Sequence, residues 1–168
     1  YIPGALDASC IDGLGGFATC IDSLAAIKHL IYDTKKLTWD QLLEALEKNW
    51  DDFDFFYLHV KETDLAGEDG DFQRKVGIIE EVDKQIPRLM ALKPDVVIVS
   101  GDHSTPALLK AHSWHPLPTL IHGKYVRADG IACFGESACA KGSLGVMPAT
   151  HIMPIALANA RRLLKYGG

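Results

Sequence analysis

The sequence predicts an α/β fold, a layered sandwich built on a largely parallel sheet. Two observations carry that expectation. Short continuous apolar runs, Phe55-Phe56-Tyr57-Leu58-His59-Val60 and Val96-Val97-Ile98-Val99, alternate with stretches of helical periodicity, and the densest polar chemistry follows the ends of those runs. Continuous apolar runs suit strands covered on both faces, and strand–helix alternation suits parallel crossover units.

Taken in order, Gly13-Leu14-Gly15-Gly16 marks an early loop, and a helix is expected from Asp22 to Tyr32, with Leu24, Ala25, Ile27, Leu30 and Ile31 on its apolar side. Thr38 followed by Gln41 is a capping-box pattern, and Leu42, Leu43, Leu46 and Trp50 recur behind it at helical spacing. After the first strand, at Phe55 to Val60, comes a polar, glycine-bearing loop. Phe72, Val76, Ile79, Ile86 and Met90 then outline an amphipathic helix that contains Pro87. A second strand is expected over Asp95 to Ser100 and a short helix from Thr105 to Ala111. Pro118 to Ile121 is the third strand candidate and Ile155 to Leu164 the closing helix. This order divides the chain into a helical N-terminal segment, residues 1–49, and a domain over residues 50–168.

Composition narrows the function classes. Apolar residues at 48% and charged residues at 23% belong to a globular protein that buries a core, which argues against disorder. The net charge of −5, with no block of Lys or Arg, gives no attraction to nucleic acid. No apolar run approaches the roughly 20 residues of a membrane span. The chain starts at Tyr1 without a basic and apolar leader, which reads as a fragment or processed product rather than a signal-bearing precursor. Cys10, Cys20, Cys133 and Cys139 lack zinc-ribbon spacing and read as free thiols of a cytoplasmic protein.

In parallel sheets, ligands bind beyond the carboxyl ends of the strands. The first strand runs into Lys61-Glu62-Thr63-Asp64-Leu65-Ala66-Gly67-Glu68-Asp69-Gly70, and the second into Gly101-Asp102-His103-Ser104-Thr105-Pro106. A third cluster reads His112-Ser113-Trp114-His115-Pro116. Carboxylates and imidazoles arriving from separate segments are what a divalent-cation site requires; oxygen ligands suit Mg²⁺ or Mn²⁺, and imidazole favours Mn²⁺ or Zn²⁺. Gly67 and Gly101 would let the backbone turn tightly beside these groups. The competing reading is structural, because Asp-rich loops commonly serve only as solvated turns, and Ser104 suits an N-cap before Thr105-Pro106 better than a nucleophile.

The stretch Phe56-Tyr57-Leu58-His59-Val60-Lys61-Glu62-Thr63-Asp64, with Gly67-Glu68-Asp69-Gly70-Asp71-Phe72, closely resembles the archaeal-type cofactor-independent phosphoglycerate mutases. So do Ser100-Gly101-Asp102-His103-Ser104-Thr105-Pro106, His112-Ser113-Trp114-His115-Pro116-Leu117-Pro118, Phe134-Gly135-Glu136, Gly142-Ser143-Leu144-Gly145 and Met153-Pro154. The resemblance runs from Trp50 to Gly168. It implies an alkaline-phosphatase-like fold, here incomplete, and interconversion of 3- and 2-phosphoglycerate in glycolysis and gluconeogenesis through a phosphoserine intermediate. Two divalent metal ions are implied, Mn²⁺ or Mg²⁺, with Zn²⁺ as the further option. By the resemblance Asp64, Glu68 and His112 hold one metal, Asp102 and His103 contribute to the other, and His115 touches metal or substrate. Glu68 departs from the commoner pattern, in which a His follows the glycine. The family's nucleophilic serine and its companion aspartate have no counterpart before Phe53, so the chain is expected to supply the C-terminal part of the site, or to be a metal-binding domain without turnover. The expected partner is a small phosphorylated substrate, with neither nucleic acid nor membrane, and the oligomeric state is left open. Thr19-Cys20-Ile21-Asp22-Ser23-Leu24-Ala25-Ala26-Ile27-Lys28 and Asp33-Thr34-Lys35-Lys36-Leu37-Thr38 also resemble a segment of the glycyl radical enzymes, without that family's radical-bearing glycine motif.

Overall fold

A computed structural model describes residues 38–163. The helix expected over Asp22 to Tyr32, and Cys10 and Cys20, lie outside the described residues. The chain divides into two compact units, Tyr1–Glu62 and Thr63–Gly168.

In the first unit, helix α1 (Trp39–Lys48) starts where the capping box places it. The Thr38 hydroxyl accepts from the Gln41 backbone N–H at 3.3 Å, and the Gln41 side chain accepts from Thr38 N–H at 2.9 Å. Two N–H groups that the first helical turn would leave orphaned are thereby satisfied. Leu42, Leu43 and Leu46 are buried, as their spacing predicts. Asn49 closes the helix, its side-chain amide donating to the Ala45 carbonyl at 2.7 Å.

Phe55 to Val60 does not form the expected strand. Trp50 instead stacks on Phe56 with centroids 5.0 Å apart, and Phe53 meets Phe56 edge-on. The aromatic rings thus find partners within seven residues of chain, an alternative to a ladder that sequence spacing does not reveal. Phe55 and Tyr57 are exposed, contrary to a strand covered on both faces.

The loop expected after it is instead helix α2 (Glu62–Asp69). It ends in a Schellman turn: Asp71 N–H reaches the Ala66 carbonyl at 2.9 Å and Gly70 N–H the Gly67 carbonyl at 3.0 Å, with Gly70 at φ +74°. Gly70→Ala, which forces a side chain into the left-handed region, is expected to lower stability by about 1 kcal/mol, read by urea unfolding; an unchanged midpoint would contradict the turn. Asp71 then caps helix α3 (Phe72–Ala91), accepting from Arg74 N–H at 2.9 Å, while the Arg74 guanidinium pairs with Asp69 at 2.8 Å. The amphipathic helix expected from Phe72 to Met90 is therefore present, with Pro87 inside it.

Strands β1 (Val96–Val99) and β2 (Leu120–Gly123) pair antiparallel, Val96 opposite Gly123 and Val99 opposite Leu120. The expectation of a largely parallel sheet is corrected here: among the described residues the sheet has these two strands only. A parallel connection needs a crossover, usually a helix. The helix expected over Thr105 to Ala111 is absent; Pro106 accepts from Leu109 and Lys110 N–H in a turn, and Lys110 at φ +51° ends it. Ser104 and Ser113 then form an isolated antiparallel bridge, so the chain comes back alongside itself. Ser104 consequently caps no helix and lies buried in that bridge.

Past β2, Tyr125 lies beside Lys124 and Arg161, and the Arg161 guanidinium donates to its hydroxyl at 3.4 Å, which with both positive charges holds the phenol below its usual pKa. Asp129 accepts from Ser143 N–H at 2.8 Å and Ile131 N–H at 3.1 Å; these bonds, Ser143's first, hold its carboxyl below the ordinary value and pin the loop around helix α4 (Glu136–Cys139). Helix α5 (Ile152–Asn159), entered through a short 3-10 turn at Ala149–His151, packs on β1. Cys133 and Cys139 are free thiols. Among the described residues no helix is long and apolar enough to cross a membrane.

Candidate metal centre

Three segments of the second unit bring the sequence-selected acids and imidazoles together. Asp64 comes from the first turn of α2, Asp102 and His103 from the chain leaving β1, and His112 from the returning arm. The Ser104–Ser113 bridge, sealed by Ser113 N–H on the Ser104 carbonyl at 2.8 Å, sets the neighbours His103 and His112 side by side. Their rings lie 3.8 Å apart between centroids, inclined at 32°.

Asp64, His103 and His112 each offer one ligand atom, all within 4.8 Å of one another. Asp64 Oδ1 is 3.4 Å from His112 Nε2 and 3.7 Å from His103 Nδ1. The remaining acids extend this row in both directions. Glu68 Oε1 lies 3.4 Å from His112 Nε2, and Asp102 Oδ2 lies 3.6 Å from His103 Nε2. The order in space is therefore Glu68, His112, Asp64, His103, Asp102.

Glu68 joins the row because α2 is helical: residues four apart share a helix face, so Glu68 stands one turn beyond Asp64. Asp64 is buried at the base, its side chain 9% exposed, whereas His112 and Asp102 are 54% exposed at the rim. A buried carboxylate needs hydrogen-bond partners or a cation to offset its lost hydration. This donor set of carboxylate oxygens and imidazole nitrogens fits a divalent cation by its chemistry, and the gradient of exposure leaves one side open to solute.

His115 does not belong to the row. Its Nδ1 is 2.8 Å from the Ser113 hydroxyl, its ring stacks against Trp114 with centroids 5.2 Å apart, and both residues are exposed.

Two residues around the cluster escaped the sequence reading. Thr105, read there as the start of a helix, is 4% exposed, and its hydroxyl donates to Asp64 Oδ1 and lies 3.0 Å from His103 Nδ1. Lys75, on α3, donates to the Thr105 carbonyl at 2.6 Å. Thr105 lies inside the Ser100 to Pro106 stretch, where residue type alone gives it no role beside His103, and Lys75 carries no sequence signal. Gly67 lies within a helix rather than a tight turn; a Cβ there would run into the Thr105 carbonyl oxygen.

The family profile described as the Metalloenzyme superfamily matches residues 22–159. Among curated proteins, the chain is 53% identical over 137 residues to the probable 2,3-bisphosphoglycerate-independent phosphoglycerate mutase of Thermotoga neapolitana, covering 82% of this chain and 34% of that protein. The protein of the same description from Thermus thermophilus is 54% identical over 125 residues, covering 74% and 31%. The solved structure of the PH0037 protein from Pyrococcus horikoshii superposes with a TM-score of 0.71 at 35% identity, covering 76% of this chain and 40% of that one. The chain thus spans about one third of the length of the curated relatives it matches.

Proposed function

The chain belongs to an enzyme family, the Metalloenzyme superfamily, and from that premise we propose that it supplies the C-terminal, metal-binding part of the active site of a cofactor-independent phosphoglycerate mutase. The reaction is the interconversion of 3- and 2-phosphoglycerate through a phosphoserine intermediate, a step of glycolysis and gluconeogenesis in the cytoplasm. The observation that carries the proposal is the approach of Asp64, His103 and His112 to within 4.8 Å from three separate segments. Half-identical relatives described as such mutases supply the reaction class.

In this reading Asp64, Glu68 and His112 hold one divalent cation, and Asp102 and His103 contribute to a second. Mn²⁺ or Mg²⁺ fits the carboxylate-rich donor set, and Zn²⁺ is the option that the imidazoles add. When bound, such cations neutralise charge on phosphoryl oxygens and lower the cost of forming an alkoxide. The protein's own part is placement. Asp64 is held at the buried base by Thr105, while Glu68, His112 and Asp102 stand at the open rim. His115, stacked on exposed Trp114 beyond the row, is assigned to the approach of the small phosphorylated substrate. The serine nucleophile is assigned to no residue of this chain.

Calorimetric titration of the full chain with Mn²⁺ tests the proposal. Binding is expected, and Asp102→Ala is expected to remove the part of it that Asp102 and His103 provide. A chain that takes up no Mn²⁺, Mg²⁺ or Zn²⁺ would overturn the assignment. A coupled mutase assay of the metal-loaded chain then separates the two forms of the reading: turnover makes the chain sufficient, and binding without turnover makes it a metal-binding part that needs the remainder of a mutase.

A further inference from the structure

The metal reading treats His103 as a donor but leaves open which ring nitrogen it offers, and the surrounding hydrogen bonds decide this. A threonine hydroxyl has one proton to give. At Thr105 that proton goes to Asp64 Oδ1, because a carboxylate oxygen accepts. The same hydroxyl oxygen lies 3.0 Å from His103 Nδ1, and with its own proton committed it can only accept there. Nδ1 of His103 must therefore carry a hydrogen, and in a neutral imidazole the lone pair is then on Nε2. Nε2 is the nitrogen that faces Asp102 Oδ2 at 3.6 Å, while the protonated Nδ1 edge faces Asp64 Oδ1 at 3.7 Å.

We propose that Thr105 is a positioning residue that selects the Nδ1–H tautomer of His103, so that Nε2 is presented to a cation beside Asp102, and that Lys75 holds Thr105 in place for this task. The inference rests on the metal-binding reading above. It divides the row of five residues by hydrogen bonding alone: His103 is turned toward Asp102, leaving Asp64 to Glu68 and His112. The device is built into the unit. Thr105 is buried, its carbonyl is clamped by the Lys75 ammonium at 2.6 Å, and the missing side chain at Gly67 leaves room for that carbonyl to lie against α2. A hydrogen bond on the far nitrogen of a ligating imidazole is a common means of orienting the ring and setting its tautomer; here a hydroxyl shared with a second candidate ligand provides it.

Heteronuclear NMR of the metal-free full chain with ring-labelled histidine reads the tautomer of His103, with His103→Gln used to assign its signals. The expected result is Nδ1–H in the parent chain and in Thr105→Ser, and a shift toward Nε2–H in Thr105→Val. Calorimetry with Mn²⁺ should show an affinity about 10- to 100-fold weaker for Thr105→Val, the usual effect of removing an outer partner of a ligand, and near-parent affinity for Thr105→Ser. Lys75→Met is the second variant, should Thr105→Val not fold. It leaves the hydroxyl present but unclamped, and a mixture of tautomers with weakened Mn²⁺ binding is expected. An Nε2–H tautomer in the parent, or unchanged tautomer and affinity in whichever variant folds, overturns the role of Thr105 while leaving metal binding intact. A tautomer that responds as expected in a parent chain that binds no metal overturns the metal-binding reading itself, and the positioning role with it.

Discussion

Asp64→Ala is expected to weaken Mn²⁺ binding by more than about 100-fold, beyond what loss of an outer partner produces. Asp64 is the one carboxylate in the row that is buried, and the one that both histidines approach. Glu68 and Asp102 are exposed, Glu68 beside His112 and Asp102 beside His103. Exposed acids are hydrated and lose little when an ion leaves, whereas a buried carboxylate is held in place before any cation arrives. Removing it also leaves the Thr105 hydroxyl without its acceptor, so the loss reaches His103 as well. Asp64→Asn keeps the shape but removes the charge, and it should fall between the parent and Asp64→Ala. Calorimetry with Mn²⁺ measures all three, and an Asp64→Ala chain that retained affinity within a few-fold of the parent would remove Asp64 from the site.

Gly67→Ala should destabilise the chain by about 1–3 kcal/mol, the usual size of a clash forced into a packed contact. On helix propensity alone the opposite is expected, since alanine is favoured over glycine inside a helix by about 1 kcal/mol. The sign therefore tests the packing. A Cβ at this position would collide with the Thr105 carbonyl oxygen and come within 3.0 Å of Thr105 Cγ2 and 3.1 Å of Lys75 Nζ. The lysine tip can swing away; the backbone carbonyl can move only if the segment carrying Asp102, His103 and Thr105 moves with it. Weaker Mn²⁺ binding is expected to accompany the lower stability, read by urea unfolding and calorimetry on the same variant. A chain made more stable by Gly67→Ala would show that α2 and Thr105 do not touch.

Much that is local is legible in the sequence. The Thr38–Gln41 box, the buried leucines of α1, the amphipathic helix now seen as α3 and the apolar run of β1 all lie in spacings of two to four residues, where one stretch of chain holds the whole signal. The acids and imidazoles of the candidate site were legible as residue types and as clusters. Elements that depend on a distant partner were misread. Phe56 of the run Phe55 to Val60 packs on Trp50 and Phe53 just before it instead of joining a ladder, and the glycine that made residues 62–69 read as a loop proves to be a contact point within a helix. The stretch after Thr105 turns back instead of crossing over, which also makes the observed sheet antiparallel.

By itself, then, the sequence determined the chemistry on offer: hard oxygen donors and imidazoles in three clusters. Residue type settles such matters because donor atoms and charges belong to individual side chains. Only the tertiary structure decided that Asp64 is the buried centre of the row, that Glu68 stands one helical turn above it, and that Thr105 and Lys75 brace it. Those facts depend on which backbone segments come into contact, and such contacts between distant segments leave no period in the sequence.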